Sequence, residues 1–375
     1  MTSVSESSKQ STFDGKIPDR MQAIVCYGPR DYRLEEVRVP KPGFNEILTK
    51  VELCGICMGD IKTWHGAPSF WGDAEQPRYV KPPMIPGHEF VGRVVALGEG
   101  AEERGVKLGE RVISEQIVPC WKCRFCNRGQ YWMCEKHDLY GFQNNVNGAM
   151  AEYMIYPVEG IVHKVPDDVP ADEAIIIEPL SCSLHAADRA DVGPDDVVVV
   201  AGAGTLGLGI IGAVRLRTPK KLIVLDFKQE RLEIARRMGA DEVWNPSEGD
   251  VIKRIKDVTD RYGCDIYIEA TGHFKAVNQG LGMLRKLGRF VELSVFNQES
   301  TVDWSIIGDR KELDVLGSHL GPYTYPRAID YIATRKIDVR GIVTHKFALK
   351  DFAEAFKVME SGQSSIKVVL DPGAK

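Results

Sequence analysis

The sequence predicts an α/β protein with a doubly wound parallel sheet in one domain and a second domain that is mostly β. Two observations predict this class. Short apolar strands alternate with amphipathic helices from Asp196 to Gly317, as a doubly wound sheet requires. From Met21 to Val39, apolar and polar residues alternate instead, which is typical of antiparallel strands with one solvated face. A chain of 375 residues is long enough for two domains, each with its own core.

The first strand of the parallel sheet leads into a glycine-rich turn. Val197–Ala201 is an uninterrupted apolar run, as expected for a strand buried on both faces. A G-x-G-x-x-G turn and a helix start follow, formed by Gly202, Gly204, Thr205, Leu206 and Gly207. Such glycines permit a tight turn, close approach of the backbone to a pyrophosphate, and close packing of helix on strand. The pattern therefore predicts a dinucleotide site.

The end of the second strand indicates which dinucleotide binds. Asp226 stands there, 19 residues after the last glycine of the turn. A carboxylate at this place accepts hydrogen bonds from the adenosine ribose and repels a 2′-phosphate, which favours NAD. Two alternatives stay open: Lys228 leaves room for NADP, and Asp226 could merely cap the next helix. Thr271, Val295 and Phe296 follow later strand ends, at the edge where such sheets bind ligands.

The remaining elements follow from the same patterns. Six strands are expected in the parallel sheet, at 197–201, 222–226, 242–244, 266–269, 289–293 and 313–317. Elsewhere, three helices and a strand are expected, at 171–190, 325–334, 347–360 and 366–370. The last three elements should return the chain to the first domain.

Composition and charge limit the partners. Hydrophobic residues make up 43% of the chain and charged residues 27%, as in an ordinary globular protein. The net charge of −5 gives no support for binding nucleic acid or an anionic membrane. No apolar run reaches the roughly 18 residues of a membrane span, and residues 1–18 lack the apolar core of a signal peptide. We expect a cytoplasmic protein with a disordered tail over 1–18.

Four cysteines predict a structural metal site. Cys120, Cys123, Cys126 and Cys134 have the spacing C-x2-C-x2-C-x7-C in a stretch with little apolar content. A lobe of this composition buries too little apolar surface to be stable alone. Four thiolates that bind one zinc ion would supply the missing stability. An iron–sulfur cluster is the alternative, but the wide last gap and the lack of a Cys-Pro favour zinc. The chain has nine cysteines, an odd count for a disulfide framework.

A second set of candidate metal residues is spread along the chain. Cys57 ends a C-x-x-C pair that has no thioredoxin-like surroundings, so a redox pair is only the alternative. His88 and Glu89 follow a Pro-Gly turn. Glu178 lies in an apolar run, where a carboxylate must be paired, protonated or bound to a metal. Metal or metal-bound water is the preferred explanation for Glu178.

With these motifs assembled, the chain resembles the zinc-dependent medium-chain dehydrogenase/reductase superfamily over everything past residue 20. The resemblance rests on Gly-Ile-Cys57-x-x-Asp60, Pro-Gly-His88-Glu89-Phe-Val-Gly, the four-cysteine lobe, Glu178-Pro-Leu-Ser, the turn at Gly202–Gly207 and Ser361-Gly…Ile-Lys367. Glu178-Pro-Leu-Ser is similar to the polyol and threonine dehydrogenase branch. Within that branch, four runs resemble bacterial dehydrogenases of erythritol and L-threitol: 114–120, 137–142, 180–185 and 316–322.

The resemblance implies a domain plan and an activity. It implies a Rossmann NAD-binding domain over 189–322 and a GroES-like catalytic domain over 19–188 and 323–375, with the structural zinc lobe at 114–136. It also implies reversible oxidation of a secondary hydroxyl of a short polyol by NAD, in a homodimer or homotetramer. Butanediol, sorbitol, xylitol and L-threonine are alternative substrates. A noncatalytic protein that binds NAD and zinc is the alternative from another class.

The resemblance also implies roles for single residues. Cys57 and His88 would bind a catalytic zinc. Glu89 and Glu178 would share the remaining protein contact, one directly and the other through water or on metal exchange. Asp60 would hold the imidazole in the right tautomer. Lys367, at a basic position of the family, would contact the cofactor pyrophosphate.

Two positions depart from the family pattern. Gly59 stands where relatives usually have Ser or Thr, whose hydroxyl passes the alcohol proton outward. Lys62 stands where many relatives have a histidine that ends the proton relay. Proton release is therefore expected through Glu89 or Glu178, a water chain, or the ribose hydroxyls toward Lys62.

Candidates for substrate contacts come from two stretches. Four residues that follow the zinc cysteine are candidate walls of the pocket, although packing is the alternative: Trp64, His65, Phe70 and Trp71. His319 is a candidate for hydrogen bonding to a polyol hydroxyl.

Overall fold

The computed structural model describes residues 15–296 and 298–374. The expected disordered tail over 1–18 falls for the most part outside the described residues. Among the described residues, no helix combines the length and the apolar character needed to cross a membrane.

The elements are labelled here in chain order. The first part of the chain forms β1 Arg20–Gly28, β2 Asp31–Arg38, β3 Ile47–Ile56, α1 Met58–His65, α2 Pro68–Trp71, β4 Glu89–Leu97, β5 Arg111–Ser114, β6 Ile117–Val118, β7 Asp138–Leu139, β8 Tyr153–Tyr156, β9 Val162–Lys164, α3 Ala171–Ala174 and α4 Ile177–Ala190. The middle part forms β10 Val197–Ala201, α5 Thr205–Arg215, β11 Lys221–Leu225, α6 Gln229–Arg237, β12 Glu242–Trp244, α7 Val251–Asp257, β13 Cys264–Glu269, α8 Phe274–Met283, β14 Leu284–Glu292 and β15 Asp314–Gly317. The last part forms α9 Tyr325–Ala333, β16 Val343–Ala348, α10 Phe352–Ser361 and β17 Lys367–Asp371.

The middle part folds into a six-stranded sheet with the order β12-β11-β10-β13-β14-β15. Every neighbouring pair is parallel. Val198, Val199 and Val200 are fully buried, as their apolar run predicted. The strand order reverses between β10 and β13, and such a switch point opens a ligand crevice at the carboxyl ends of the strands. The doubly wound parallel sheet is confirmed.

The rest of the chain builds a seven-stranded, mostly antiparallel sheet and two two-stranded sheets, β1-β2 and β6-β7. The path of the seven-stranded sheet runs β16-β17-β3-β4-β5-β9, and β8 pairs with β3. β17, near the end of the chain, pairs with the residues just before Cys57. The mostly β second domain is therefore confirmed. All strands of the parallel sheet lie within 189–322 and all others lie outside, although the boundaries themselves stay a prediction.

Two predicted helices were partly wrong. The expected helix over 171–190 divides into α3 and α4, with Pro179 in the first turn of α4, where its missing N–H costs no hydrogen bond. The helix expected from Phe347 begins at Phe352 instead. Phe347 pairs with Leu370 in the ladder of β16 and β17, and this long-range pairing overrides the local preference.

Candidate active site

Strand pairing brings three candidate metal ligands together. Cys57 follows β3 and precedes α1, whereas His88 and Glu89 stand at the start of β4. β3 and β4 are antiparallel neighbours in which Gly55 lies opposite Glu89. One ligand atom each from Cys57, His88 and Glu89 lies within 4.8 Å of the others.

Asp60 organises this cluster from the first turn of α1. Its carboxylate is 1% exposed, and Oδ2 accepts a hydrogen bond of 2.9 Å from the Cys57 amide. Oδ1 lies 3.5 Å from Nδ1 of His88. Burial opposes a charge on the His88 imidazole, but Asp60 and Cys57 outweigh burial and raise its pKa well above the ordinary value. A carboxylate beside Nδ1 favours a proton on that nitrogen and a lone pair on Nε2, the form that binds a metal.

Glu89 is held by a buried lysine. Nζ of Lys367 lies 2.5 Å from Oε2 of Glu89 and also donates to the Ile56 carbonyl at 3.2 Å. A Cβ on Gly55 would lie 2.2 Å from the same carboxylate oxygen, so only glycine leaves room for Glu89 here. In the structure the Lys367 ammonium group contacts Glu89 and Ile56. The contact with the cofactor pyrophosphate that was expected for Lys367 stays a prediction.

Glu178 stands apart from the three-residue cluster. It lies in the first turn of α4 and is 4% exposed. Its Oε1 accepts hydrogen bonds from the Gln116 side-chain amide and, at 3.4 Å, from the Cys182 thiol. Burial and the nearby charge of Glu89 raise the pKa of Glu178 to about 7, against the opposing effect of His88. Sequence reasoning missed Gln116, since only the fold brings it to Glu178.

The two departures from the family pattern lie on α1. A Cβ added to Gly59 would have its nearest neighbour, a carbon of His88, at 3.6 Å, so the space would accept a larger residue. The ammonium group of Lys62 donates to the carbonyl of Val295, in the loop that follows β14. This contact joins the two domains across the site. Burial lowers the pKa of Lys62.

An aromatic wall adjoins the zinc ligands. The ring of Phe142 lies with its centroid 5.1 Å from that of His88. Phe70 stacks on Phe142 with ring centroids 5.4 Å apart, and the ring centroid of Tyr79 lies 5.8 Å from that of Phe142. Phe70 is one of the candidate pocket walls that the sequence predicts. Phe142 was missed, because nothing in its neighbouring residues distinguishes it from an ordinary packing residue.

The structure gives Trp64 and His65 other partners. Trp64 packs edge-on against Tyr32, with centroids 5.0 Å apart, and against Phe356 at 5.9 Å. Nε2 of His65 lies 2.8 Å from a carboxylate oxygen of Glu360. Trp64 therefore has packing partners and His65 has a carboxylate neighbour, and a substrate contact for either side chain stays a prediction.

His319 lies across the domain boundary from His137. Their Nε2 atoms are 3.3 Å apart, and the rings stack with centroids 5.0 Å apart. His319 lines a cavity of about 510 Å³ that also includes Trp132, Glu292 and Val295. One lining residue of this cavity, Val295, accepts the hydrogen bond from Lys62 of α1.

The predicted cofactor turn has the required backbone. Gly202 has a positive φ of 98°, which favours glycine. A Cβ on Gly207 would lie 1.9 Å from the Gly202 carbonyl oxygen. The Asp226 carboxylate accepts from the amides of Ala203 at 2.8 Å and Lys228 at 2.9 Å. It therefore braces the turn and the residue before α6, and the ribose contact stays a prediction.

The other candidate cofactor residues surround this turn. Thr205, at the start of α5, donates its hydroxyl to the Ile366 carbonyl at 2.9 Å, and the Leu206 carbonyl accepts from Ser183 at 2.9 Å. The Thr271 amide donates to Glu269 at 2.7 Å, so the chain after β13 is fixed. Thr271, Val295 and Phe296 all follow strands of the parallel sheet at the edge of the predicted crevice.

The four predicted lobe cysteines also converge. One sulfur of each lies within 4.8 Å of the others, which a single tetrahedral ion requires. Backbone N–H donors lower the pKa of Cys123 to about 6, whereas burial raises that of Cys126 to about 12. A cation is needed to hold all four as thiolates.

Both predicted cofactors fit these residues. Sulfur, nitrogen and carboxylate oxygen are the usual zinc ligands, and three of them leave a position open for water or substrate. Nδ1 of His88 faces Oδ1 of Asp60 at 3.5 Å, which leaves Nε2 of the imidazole for the metal. At the other site, the close approach of Gly202 and Gly207 leaves the α5 amides open to a pyrophosphate.

Comparisons with known proteins agree with this geometry. Residues 43–167 match the family described as alcohol dehydrogenase GroES-like domain, and residues 205–334 match zinc-binding dehydrogenase. The chain is 54% identical to erythritol/L-threitol dehydrogenase of Mycolicibacterium smegmatis, over 96% of this chain and 100% of that one. A zinc-binding dehydrogenase structure from Sinorhizobium meliloti 1021 bound to NADP is 27% identical, with a TM-score of 0.84, over 95% of this chain and 100% of that one. An E. coli CFT073 alcohol dehydrogenase complexed with NADH is 28% identical, with a TM-score of 0.84, over 94% and 100%. The chain therefore belongs to the zinc-dependent alcohol dehydrogenase family, and it is an oxidoreductase that uses zinc and a nicotinamide dinucleotide.

Proposed function

We propose that this enzyme oxidises a secondary hydroxyl of a four-carbon polyol, of the erythritol or L-threitol type, to the ketose with NAD. The observation that carries the proposal is the position of the Cys57, His88 and Glu89 cluster. It lies on one domain, and the Lys62–Val295 contact joins it to the cofactor-binding edge of the other. The high identity to the M. smegmatis relative supports the substrate class.

Cys57, His88 and Glu89 would hold the catalytic zinc, and the glycine turn would hold NAD. When bound, zinc supplies a Lewis acid that lowers the pKa of the substrate hydroxyl, and NAD supplies the hydride acceptor. Asp60 orients the His88 ring. Phe142 and Phe70 wall the site beside that ring and exclude water from it.

The proton of the substrate hydroxyl needs an acceptor, because Gly59 supplies none. Glu178 offers a carboxylate oxygen that is not used by the protein: among the described residues, hydrogen bonds reach Oε1 but not Oε2. Lys62 stands between the cluster and the loop of Val295. We propose that Glu178 takes the proton and hands it through water to Lys62, which first gives one of its own ammonium protons to solvent.

This route predicts a change in pH dependence. Above its pKa of about 7, Glu178 is ionised and accepts a proton, so kcat/KM of the wild type should rise with pH through this range. Glu178→Gln should abolish that rise. Lys62→Ala should alter the alkaline part of the profile, where the lysine, whose pKa burial lowers, loses its charge. Steady-state pH–rate profiles measure both. Profiles identical to wild type in both variants would show that the proton leaves by another path.

A substrate panel tests the proposed function directly. NAD reduction is measured with erythritol, both threitols, xylitol, 2,3-butanediol and L-threonine. We expect kcat/KM for a tetritol to exceed that for butanediol by at least about 100-fold, because a site built to bind a hydroxyl rejects an analogue that lacks it. NADP should serve less well than NAD, since Asp226 repels a 2′-phosphate. Preference for threonine or butanediol would refute the polyol assignment.

His319 provides the matched variant for this panel. We propose that its imidazole, beside His137, receives a remote hydroxyl of the polyol. His319→Ala should raise KM for the tetritol about tenfold, the value of one hydrogen bond, and leave the constants for butanediol unchanged. Equal changes for both substrates would assign His319 a structural role only.

We further propose a cytoplasmic homodimer or homotetramer. β15 forms one edge of the parallel sheet and leaves backbone groups open to pairing. Val315 on this strand is 50% exposed and the preceding Trp304 is 76% exposed, so an apolar surface accompanies the open edge. All nine cysteines are unpaired, in keeping with a reducing compartment.

A further inference from the structure

A buried polar chain links the four-cysteine lobe to Glu178. Tyr131 lies in the lobe, between two of its cysteines, and is 3% exposed. Its hydroxyl donates to Oε2 of Glu115 at 2.8 Å. The next residue, Gln116, donates its side-chain amide to Oε1 of Glu178. Glu115, Gln116 and Glu178 are all buried, so solvent does not replace these contacts. We call Tyr131, Glu115, Gln116 and Glu178 the positioning chain.

The position of Glu115 and Gln116 is fixed from three sides. Besides Tyr131, the ring of His163 in β9 lies with Nε2 3.0 Å from Oε1 of Glu115. The Gln116 amide N–H donates to the hydroxyl of Tyr325, the first residue of α9, at 3.2 Å. The lobe, β9 and α9 therefore determine where the Gln116 side chain begins.

The Gln116 side chain determines in turn which oxygen of Glu178 is available. The Gln116 amide and, more weakly, the Cys182 thiol occupy Oε1. Among the described residues no hydrogen bond reaches Oε2, which leaves that oxygen for the metal or its water. Because the hydrogen bonds to Oε1 already fix the orientation of the Glu178 carboxylate, contact of Oε2 with the metal or its water costs little further side-chain entropy.

We propose that Gln116 is the positioning residue for Glu178, and that the four-cysteine lobe sets the position of Gln116 through Tyr131 and Glu115. The lobe then affects the binding of the catalytic metal as well as the stability of the fold. The inference rests on the proposed function in one respect: Glu178, the proton acceptor there, is taken to contact the catalytic metal or its water through Oε2.

The first test replaces Gln116 by leucine, which keeps its bulk and removes the donor. Wild type and variant are prepared with cobalt in the catalytic site and zinc in the lobe. Visible absorption reports the cobalt geometry, and competition with a chelator reports its affinity. We expect a changed spectrum and an affinity about 10–100-fold lower, as for other groups that orient a metal's ligands. An unchanged spectrum and affinity would overturn the proposal.

The second test separates positioning from general damage to the fold. Tyr131→Phe removes the hydrogen bond that the hydroxyl donates to Glu115 and the one that it accepts from the Tyr323 amide at 2.9 Å, and it leaves every residue of the catalytic cluster in place. Tyr140→Phe is the matched control, because Tyr140 is also fully buried and bonds instead to Ser114 at 3.2 Å. We expect Tyr131→Phe to shift the cobalt spectrum and lower the affinity, and Tyr140→Phe to do neither. Equal behaviour of the two variants would refute the link to the lobe.

Two measurements keep these outcomes interpretable. Lobe zinc content and the thermal unfolding midpoint show whether each variant is folded. If Tyr131→Phe loses its lobe zinc, the Gln116→Leu variant alone tests whether Gln116 positions Glu178. The coupling of the lobe to the catalytic metal is then tested by the cobalt affinity of the Tyr131→Phe protein that stays folded. The cobalt readout needs no substrate, so a failure of the polyol panel would leave this result standing.

Discussion

Replacement of His88 by alanine is expected to leave one zinc per chain instead of two and to lower kcat/KM by at least about 1000-fold. His88 supplies one of three protein ligand atoms that converge within 4.8 Å. Loss of one ligand from an open three-ligand site should release the metal and with it about 4 kcal/mol of transition-state stabilisation. Metal analysis of the purified protein and steady-state kinetics measure the two effects.

His345→Ala is the control for this prediction. The His345 imidazole lies 3.0 Å from the Thr344 hydroxyl and belongs to neither metal cluster. It should keep two zincs and normal rates. Two zincs per chain in His88→Ala, with activity retained, would contradict the assignment of the catalytic metal site.

The second large effect is expected in the lobe. Cys126→Ser should release the lobe zinc and lower the free energy of unfolding by several kcal/mol, because metal binding to such a site is part of the folding free energy. Cys126 and Cys134 are buried, so the loss exposes a segment with little apolar core of its own. Zinc stoichiometry and thermal denaturation measure the change.

Cys264→Ser provides a matched cysteine replacement. Cys264 is fully buried in β13 and its thiol donates to the Met283 carbonyl at 3.5 Å. It should retain both zincs, whatever its cost in packing. If Cys126→Ser also retained two zincs and its unfolding midpoint, the lobe would not be a metal site.

Local patterns were sufficient for the fold class and for the convergence of the four lobe cysteines, whereas the pairing of β3 with β4 brings Cys57 to His88 and Glu89. An unbroken run such as Val197–Ala201 can be satisfied only by burial on both faces, and the structure buries it. The closely spaced lobe cysteines restrict where their sulfurs can lie, and these sulfurs meet. Gly202 and Gly207 stand where no Cβ could be placed without strain or collision. In each case the physical constraint acts over a few neighbouring residues.

Contacts between distant residues were not accessible in this way. Lys367 and Glu89 are 278 positions apart, and Gln116 and Glu178 are 62 apart. The residues around Trp64 in the sequence do not show whether its side chain lines a pocket or packs on Phe356. Its environment depends on where α10 lies.

The sequence by itself determined the two larger sheets, the glycine turn and the grouping of the four lobe cysteines. Only the tertiary structure decided that Lys367 balances Glu89, that Phe142 walls the site and that Gln116 aims Glu178. The physical reason is that backbone propensity and spacing are properties of adjacent residues. The pairing of buried charges, by contrast, depends on which side chains the packed sheets bring within hydrogen-bonding distance.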